Sequence, residues 1–540
     1  MRKYLEKYQL PADSLWMAIL LSTYLTVFLN SHLWRELYQS QTGFPIAEKW
    51  EFLVSMGFVV WALQAILLSL FFWRKPSKLF AIVILLSAVA ANHFSENFGV
   101  FFDTTMLQNI FETHRLEAQE LLTVSLLFDY LKHIPFIVFL IFLIDIEDGP
   151  AIKSIAVKLI FTIGLLIISA AILVTNFKNF SSTFRNHREI RNLIIPSSYF
   201  LATSKLMLGA AHSAQKTKDV IDTHAVIGPL QKQKKILVVL VVGETVRAQN
   251  WGLSGYSRNT TPELSRLPVV NYPYAISCGT NTKTSLPCMF SSYGRAGYDE
   301  DAIKNSESIL NLLSKLQVHV TWIDNQSGCK GTCDHVNFHE ASEFDNKNYC
   351  KGSGNCFDEV LINALKNTIS TQEKHQLIVL HQIGNHGPAY FERYPKNYER
   401  FSPACSTSDL TQCKNAEITN AYDNAIIYTD SILAKMIGDL SRIEDREVYF
   451  MYVSDHGESL GEDNIYLHGF PYAIAPAFQT HAAMLMHFSG LAKNFRNCAA
   501  AGADQPVSHD HVYHTLLRIF GIETKTFKKE YDLLKNCHDL

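Results

Sequence analysis

Long apolar runs dominate the first third of this 540-residue chain. Each run is close to the roughly 20 residues that a helix needs to cross the hydrocarbon core of a membrane. The alternative, buried core helices of a large soluble domain, does not fit five such runs separated by short charged loops. We therefore predict five membrane spans, near residues 15–32, 52–73, 79–101, 121–146 and 155–177.

Basic residues orient the predicted spans. Lysine and arginine cluster before the first run, between the second and third runs, and after the fourth run, whereas the alternate loops are poorer in them. The positive-inside rule therefore predicts a cytoplasmic N-terminus, and an odd number of spans puts everything after about residue 178 outside the cytoplasm. The first run lacks a clear small-residue cleavage site, so we interpret it as an uncleaved anchor.

All ten cysteines lie in the second half of the chain. An even number confined to one region is typical of disulfides formed in an oxidising compartment, which agrees with export. A zinc knuckle of Cys329 and Cys333 with His335 and His339 is the competing interpretation. From their proximity in sequence we expect the pairs Cys278–Cys288, Cys329–Cys333, Cys350–Cys356, Cys405–Cys413 and, more loosely, Cys498–Cys537.

Polar residues interrupt two of the predicted spans. Those that end the third span either meet water or help to hold a lipid head group, and those in the fourth indicate an interfacial helix followed by a short or tilted span. Residues 178–234 are basic and amphipathic, which fits surface helices or a solvated linker. The interrupting residues are Asn92, His93, Glu96 and Asn97 in the third span and Asp129, Lys132, His133 and Pro135 in the fourth.

The second half alternates strand-like and helix-like segments, which predicts an α/β domain with a parallel sheet. In such folds chemistry collects at the carboxyl ends of the strands. The net charge is −3 and no domain is strongly basic, so we do not expect a nucleic-acid partner. The buried strand-like runs are 236–242, 318–323, 377–380 and 448–453, and helical patterns cover 309–316, 357–369 and 417–439.

Acidic and imidazole side chains follow these strand-like runs. Glu244 comes after the first run, and Asp455 and His456 come after the last. Two carboxylates and one imidazole suit zinc or manganese better than calcium, and three protein ligands leave a position open for a reacting oxygen. A purely structural account would treat these residues as caps and turns.

Thr282 is the candidate nucleophile. It lies in a hydroxyl-rich segment that Cys278 and Cys288 would hold rigid, although such segments are commonly ordinary turns. Metal coordination favours the deprotonated hydroxyl and orients it for attack on phosphorus. His386 and His468 are candidates for phosphate contact, proton transfer or a second metal.

These stretches resemble the phosphoethanolamine–lipid A transferases, the family that includes the mobile colistin-resistance enzymes. The resemblance covers essentially the whole chain. It implies an N-terminal α-helical transmembrane bundle of five spans (1–177), amphipathic periplasmic linker helices (178–234) and a periplasmic α/β domain of the alkaline phosphatase/sulfatase type (235–540). The matching stretches are 241–245, 277–282, 287–290, 384–390, 421–425, 454–462 and 466–469.

The family's site residues match this sequence position by position. The resemblance implies that Thr282 becomes modified with phosphoethanolamine and joins the metal site as a ligand. One zinc ion is expected and a second is left open. Gln326 is a departure, since some members carry asparagine there, and we keep it as a substrate contact. The implied zinc ligands are Glu244, Asp455 and His456, the implied phosphoethanolamine contacts are His386, His468, Glu458 and Lys330, and the positions linked to the lipid substrate are Asn109 and Glu117.

The implied reaction has two steps. Thr282 takes phosphoethanolamine from phosphatidylethanolamine, and a lipid A phosphate then takes it from Thr282. This reduces the negative surface charge and, with it, the binding of polymyxin-like peptides. We expect a monomer in the inner membrane, among membrane lipids. The alternatives are transfer to a lipopolysaccharide core sugar, a phosphoglycerol transferase of the same architecture, a soluble-substrate sulfatase or phosphatase, and a non-enzymatic membrane sensor.

Overall fold

The computed structural model describes residues 10–41, 45–74, 76–113, 115–213, 218–345, 349–350 and 356–537. The chain forms two compact units. The first comprises Met1–Phe111 and Leu122–Ala211, and the second comprises Glu112–Leu121 and His212–Leu540. The division into three functional regions at residues 177 and 234 remains a prediction.

The first unit is helical. Within the described residues, three of its helices are long and apolar enough to cross a membrane, and a fourth span results if Ser14–Phe28 and Ser31–Ser40, bent by 58°, are counted as one. The count of five spans is therefore not confirmed. The helices are Ser14–Phe28, Ser31–Ser40, Ile46–Phe71, Pro76–Phe98, Thr104–Glu112, Val124–Val138, Ala151–Thr175, Phe177–Asn186 and Ser197–Ser213.

The predicted fourth span contains a short helix. Val124–Val138 has 15 residues, about 22 Å at 1.5 Å per residue, which is less than the hydrocarbon thickness. It continues into a π-helical turn and then into the strand Ile144–Ile146, which pairs in parallel with Leu10–Ala12. Its polar residues have protein partners, because Asp129 contacts both His93 at 2.7 Å and Lys132 at 2.5 Å.

The second unit is built on a seven-stranded sheet. Its strands are numbered β1 to β7 in chain order. The order in the sheet is β2-β7-β6-β1-β5-β3-β4, and β7 alone runs antiparallel to its neighbours. The strands are β1 Ile236–Gly243, β2 Val269–Asn271, β3 His319–Asp324, β4 Asn337–Glu340, β5 His375–His381, β6 Glu447–Ser454 and β7 Met484–Gly490.

The central strands are buried along their whole length, as the continuous apolar runs predict. Every residue of β1, β5 and β6 is buried. Alternate residues Val238, Leu240 and Val242 enter one large apolar core. The α/β prediction for this region is confirmed. The helices of the unit are Arg115–Glu120, Thr282–Met289, Glu300–Lys304, Ile309–Lys315, Val360–Thr368, Asn415–Leu440, Ala477–Thr480, Phe495–Ala500 and Asp510–Ile519.

All five expected disulfides are present in the second unit. The zinc-knuckle interpretation of Cys329 and Cys333 is wrong, because the two sulfur atoms are bonded to each other and neither is available as a thiolate ligand. The disulfide Cys278–Cys288 closes the loop that carries the candidate nucleophile.

Candidate metal centre and active site

Strand register aligns the chemically important residues at one edge of the sheet. Gly243 at the end of β1 pairs with Ser454 at the end of β6, and Val242 pairs with His381 at the end of β5. Glu244 and Asp455 therefore leave the sheet side by side. At this edge Gly384, with a φ of +50°, lies so close that an added Cβ would come within 2.8 Å of the Glu244 carbonyl oxygen.

Three ligand atoms meet at this edge. One atom each from Glu244, Asp455 and His456 lies within 4.8 Å of the others, and all three residues are fully buried. The facing atoms, Glu244 Oε1, Asp455 Oδ2 and His456 Nε2, have no hydrogen-bond partner. Buried polar atoms normally have such a partner, so these three atoms are positioned to bind a ligand such as a metal ion.

The other atoms of the same side chains are held by the backbone. Asp455 Oδ1 accepts from the amide groups of Thr245 and His456, at 3.2 and 2.8 Å. His456 Nδ1 lies 2.8 Å from the Gly457 carbonyl oxygen, so it carries the proton and the Nε2 lone pair faces the cluster. An imidazole fixed by a carbonyl in this way is the usual arrangement of a metal-binding histidine.

The charges of the cluster favour the binding of a cation. Burial and the Glu244 charge raise the pKa of Asp455, since two carboxylates in one dry site resist double ionisation. Burial opposes a charged imidazole, but Asp455 and Glu244 together raise the pKa of His456. A divalent cation at the cluster would replace the second proton of the His456 imidazole and pair with both carboxylates. The donor set therefore fits zinc, and an open position remains.

A second group of possible ligands does not form a metal site. Cys278, Cys288 and Asp510 lie close together, but the two sulfur atoms form a disulfide. The Asp510 carboxylate instead accepts from the backbone amides of Arg295 and Ala296. This group therefore holds loops rather than a metal.

Thr282 is the first residue of the helix Thr282–Met289, whose N-cap is Asn281. The Asn281 side chain accepts from the Thr284 amide and fixes the start of the helix. The Thr282 hydroxyl donates to Glu244 Oε2 at 3.1 Å and is almost fully buried. The predicted nucleophile and the predicted metal ligands are thus in contact, and the positive end of the helix dipole faces the same place.

His509 holds the loop of the candidate nucleophile to the candidate metal-binding edge, and the sequence did not predict this role. Its Nδ1 accepts from the Cys278 amide at 3.1 Å, and its Nε2 donates to the Ser454 carbonyl oxygen at 3.0 Å. Burial lowers the pKa of His509 to about 3, so the imidazole is neutral. Nothing in the surrounding sequence distinguishes this histidine, because its role depends on two segments distant along the chain.

The predicted histidines and Glu458 lie next to the cluster. His468 Nδ1 is 3.0 Å from Glu458 Oε2, and its ring centroid is 4.4 Å from that of His456. The rings of His386 and His468 are 5.7 Å apart. Arg393 supports this side, because its Nε donates to the His386 carbonyl oxygen at 2.7 Å.

Gln326 and Lys330 lie on one loop but differ in their contacts. Gln326 Nε2 donates to Glu244 Oε2 at 3.1 Å, so the amide touches the metal cluster directly. Lys330 Nζ donates to the carbonyl and hydroxyl oxygens of Ser327 at 2.8 and 2.7 Å. Beneath this loop a buried pair of Asp324 and His381 lies 2.8 Å apart and braces the end of β3.

Comparison with known proteins identifies the family. The family model described as Phosphoethanolamine transferase EptA/EptB matches residues 60–210, and the Sulfatase model matches residues 236–522. The phosphoethanolamine transferase EptA of Escherichia coli K12 is 33% identical over 96% of both chains. This chain belongs to the phosphoethanolamine transferases.

Two further relatives match this transferase over nearly its full length. The phosphatidylethanolamine transferase Mcr-1 of Escherichia coli is 31% identical and covers 94% of this chain, with 95% of its own length matched. The solved structure of the integral membrane protein lipooligosaccharide phosphoethanolamine transferase A from Neisseria meningitidis matches with a TM-score of 0.90 and 32% identity, covering 98% and 99% of the two chains.

Two predicted substrate positions of this transferase lie outside the cluster described above. Asn109 lies in the helix Thr104–Glu112 of the first unit. Glu117 belongs to the helix Arg115–Glu120 of the second unit, and its side chain lies outside the described residues. This helix lies in the segment Glu112–Leu121, which belongs to the second unit. Two acids of the segment make ion pairs within that unit, Glu112 with Lys283 and Glu120 with Arg393.

Proposed function

We propose that this transferase moves phosphoethanolamine from phosphatidylethanolamine to a phosphate of lipid A through a covalent adduct on Thr282. The observation that carries the proposal is the hydrogen bond from the Thr282 hydroxyl to Glu244, within a cluster of three buried ligand atoms that lack hydrogen-bond partners. The names of the relatives support phosphoethanolamine as the transferred group and, for Mcr-1, phosphatidylethanolamine as the donor.

The metal in this proposal is one zinc ion held by Glu244, Asp455 and His456, with Thr282 as the fourth ligand. When bound, zinc would lower the pKa of the Thr282 hydroxyl and stabilise the negative charge on the phosphate oxygens. Glu244 keeps the hydroxyl oriented through its Oε2 atom. His386 and His468 are the candidate ligands for a second zinc ion, and their rings lie 5.7 Å apart.

In the first step the Thr282 oxygen attacks phosphorus and the bond from phosphorus to the diacylglycerol oxygen breaks. The hydroxyl proton passes to the leaving oxygen. His468 can carry this proton, because Glu458 orients the imidazole through a hydrogen bond at Nδ1 and the ring has a second nitrogen, Nε2, for proton transfer. In the second step an acceptor phosphate oxygen attacks the same phosphorus, and Thr282 leaves and recovers a proton. His386 and Lys330 contact phosphate oxygens, and Gln326 contacts the head group.

The cellular setting is part of the proposal. The helical first unit would hold the chain in the inner membrane as a monomer, and the five disulfides favour a periplasmic location for the second unit. Asn109 and Glu117 would contact the lipid substrate. Both substrates are membrane lipids, so a tethered catalytic domain meets them at high local concentration. Added ethanolamine ammonium groups would weaken the binding of polymyxin and other cationic peptides.

Mass spectrometry of lipid A tests the proposal. Cells that express the intact chain should carry phosphoethanolamine on lipid A, cells with Thr282→Ala should not, and Thr282→Ser should retain a part of the activity because it keeps a hydroxyl. Unmodified lipid A with the intact chain would refute the acceptor assignment. Phosphoethanolamine on a core sugar, or phosphoglycerol in its place, would identify the alternative transferase, and equal modification by wild type and Thr282→Ala would exclude the nucleophile.

A further inference from the structure

A pocket lined by lysines opens beside the helix Thr282–Met289, entirely within the second unit. Its volume is about 270 Å³. Four lysines and two acidic residues are among its lining residues, which gives the lining a formal net charge of +2. We call it the lysine pocket, and its charged residues are Lys218, Lys283, Lys304, Lys330, Glu307 and Asp334.

The lysine pocket adjoins the reaction centre and shares Lys330 with it, but it contains none of the proposed metal ligands. Lys283 follows Thr282 directly, and Pro287, four residues later on the same face of the helix, also lines the pocket. Lys330 lines the opposite wall on the loop that carries Gln326, whose amide contacts Glu244. A group bound here would therefore lie next to the modified threonine.

The lysines in the pocket have partners that an anion can replace. Lys304 contacts Glu300 at 2.5 Å, Lys218 contacts Asp334 at 2.6 Å, and Lys283 pairs with Glu112. The carboxylates of these pairs are 40–46% exposed, and ion pairs at that exposure contribute little. A phosphate dianion offers several charge-assisted hydrogen bonds at once and can exchange for them.

The sign of the charge separates acceptor from donor. The donor head group carries an ammonium next to its phosphodiester, and that cation would be repelled by Lys218, Lys283 and Lys304. A phosphorylated sugar presents a phosphomonoester with up to two negative charges and no cation. Among the two lipids of the proposed reaction, the pocket is complementary to the acceptor.

We propose that the lysine pocket binds a sugar phosphomonoester of the acceptor lipid during the second step. This inference rests on the proposed function. A phosphate oxygen of the bound acceptor forms a bond to the phosphorus on Thr282, the bond from that phosphorus to Thr282 Oγ breaks, and Thr282 Oγ takes up a proton. Lys218, Lys283 and Lys304 are then specificity residues for the acceptor.

The test separates the two half-reactions in the full-length protein. Adduct formation on Thr282 is followed by intact-protein mass spectrometry in vesicles that contain phosphatidylethanolamine, and transfer is followed with lipid A as the added acceptor. The test variant carries Lys218→Gln, Lys283→Gln and Lys304→Gln. The matched control carries Lys235→Gln, Lys366→Gln and Lys396→Gln, three lysines outside the pocket that also pair with acids.

The test variant should form the adduct at the wild-type rate but need at least about tenfold more lipid A for half-maximal transfer, since each lost charge-assisted bond weakens binding. Arginine at the three positions should restore most of this loss, and inorganic phosphate should compete with lipid A only in proteins that keep the charges. If the test variant needs no more lipid A than wild type, or if the control variant loses transfer equally, the lysine-pocket inference is overturned and the proposed function still stands. Loss of adduct formation would assign the pocket to the donor. An absent adduct in wild type would instead refute the proposed function.

Discussion

Glu244, Asp455 and His456 each present one buried atom without a hydrogen-bond partner, and two of the three are carboxylic acids. Removing the metal should therefore destabilise the protein as well as stop transfer. When the free metal concentration is a hundred times its Kd, binding raises the free energy of unfolding by about 2.7 kcal/mol. We expect a chelator to lower the Tm of wild type and zinc to restore it.

The matched variants for this prediction are Glu244→Gln and the exposed Glu373→Gln. Glu373→Gln should respond to the chelator like wild type, whereas Glu244→Gln should already be inactive and its Tm nearly insensitive to the chelator. A wild-type Tm that does not change with chelator, measured after metal analysis has verified its removal, would contradict a metal centre at this cluster.

His509 gives a pH dependence at the scale of one residue. The pKa of His509 in the folded protein is about 3, below the ordinary value near 6.5. Between these two pH values the imidazole is protonated in the unfolded chain but neutral in the folded protein. Its contribution to stability is present above pH 6.5 and is lost as the pH falls toward 3. At pH 5 the loss from this group is about 2 kcal/mol.

Denaturant unfolding at pH 7 and pH 5, followed by tryptophan fluorescence, measures this dependence. His509→Asn should be less stable than wild type at pH 7, because the bonds to Cys278 and Ser454 weaken, but it should lose less stability on acidification. The control is His224→Asn, whose imidazole is 94% exposed and which should follow wild type. Equal acid sensitivity of His509→Asn and wild type would disprove the assignment.

Among the elements, the short helix Arg115–Glu120 is held by an ion pair between Glu120 and Arg393, whose side chains are 15% and 4% exposed. Arg393 also supports the His386 carbonyl. Arg393→Met leaves the Glu120 carboxylate poorly solvated and should cost about 2 kcal/mol, between the values for exposed and fully buried pairs.

A double-mutant cycle with Glu120→Gln tests this coupling. The double variant should be more stable than the sum of the two single effects predicts, because removing both charges avoids an unpaired one. The free energy of unfolding is the measurement, and the transfer rate reports whether His386 has moved. Strictly additive effects would show that the two side chains are energetically independent.

The strand ends were predictable because their signal is local. A continuous buried strand followed at once by Glu244, or by Asp455 and His456, needs no information from elsewhere in the chain. The break after Ser14–Phe28 was not predictable. There the Asn30 side chain bonds to the Leu25 carbonyl oxygen and to both backbone groups of Ile195, which lies 165 residues away.

The same limit applies to the candidate site. Thr282 could be predicted from its disulfide-closed loop, since Cys278 and Cys288 are close in sequence. His509 and Arg393 could not, because each acts by joining segments that the sequence keeps apart. Apolar length likewise predicts a span but does not reveal where a helix changes to a π-helical turn, as it does after Val138.

For the whole molecule, the second unit has its own core and contains all five disulfides, so residues 218–540 should fold when exported alone. This fragment keeps Thr282 and the metal cluster but lacks the membrane helices and both acids, Glu112 and Glu120. With a water-soluble short-chain phosphatidylethanolamine it should form the Thr282 adduct. With vesicles it should be about 10² to 10⁴ times slower than the full chain, because tethering supplies effective concentration. Parallel assays on one vesicle preparation, with Thr282→Ala fragment as the blank, measure the ratio, and equal vesicle rates would refute the role of the tether.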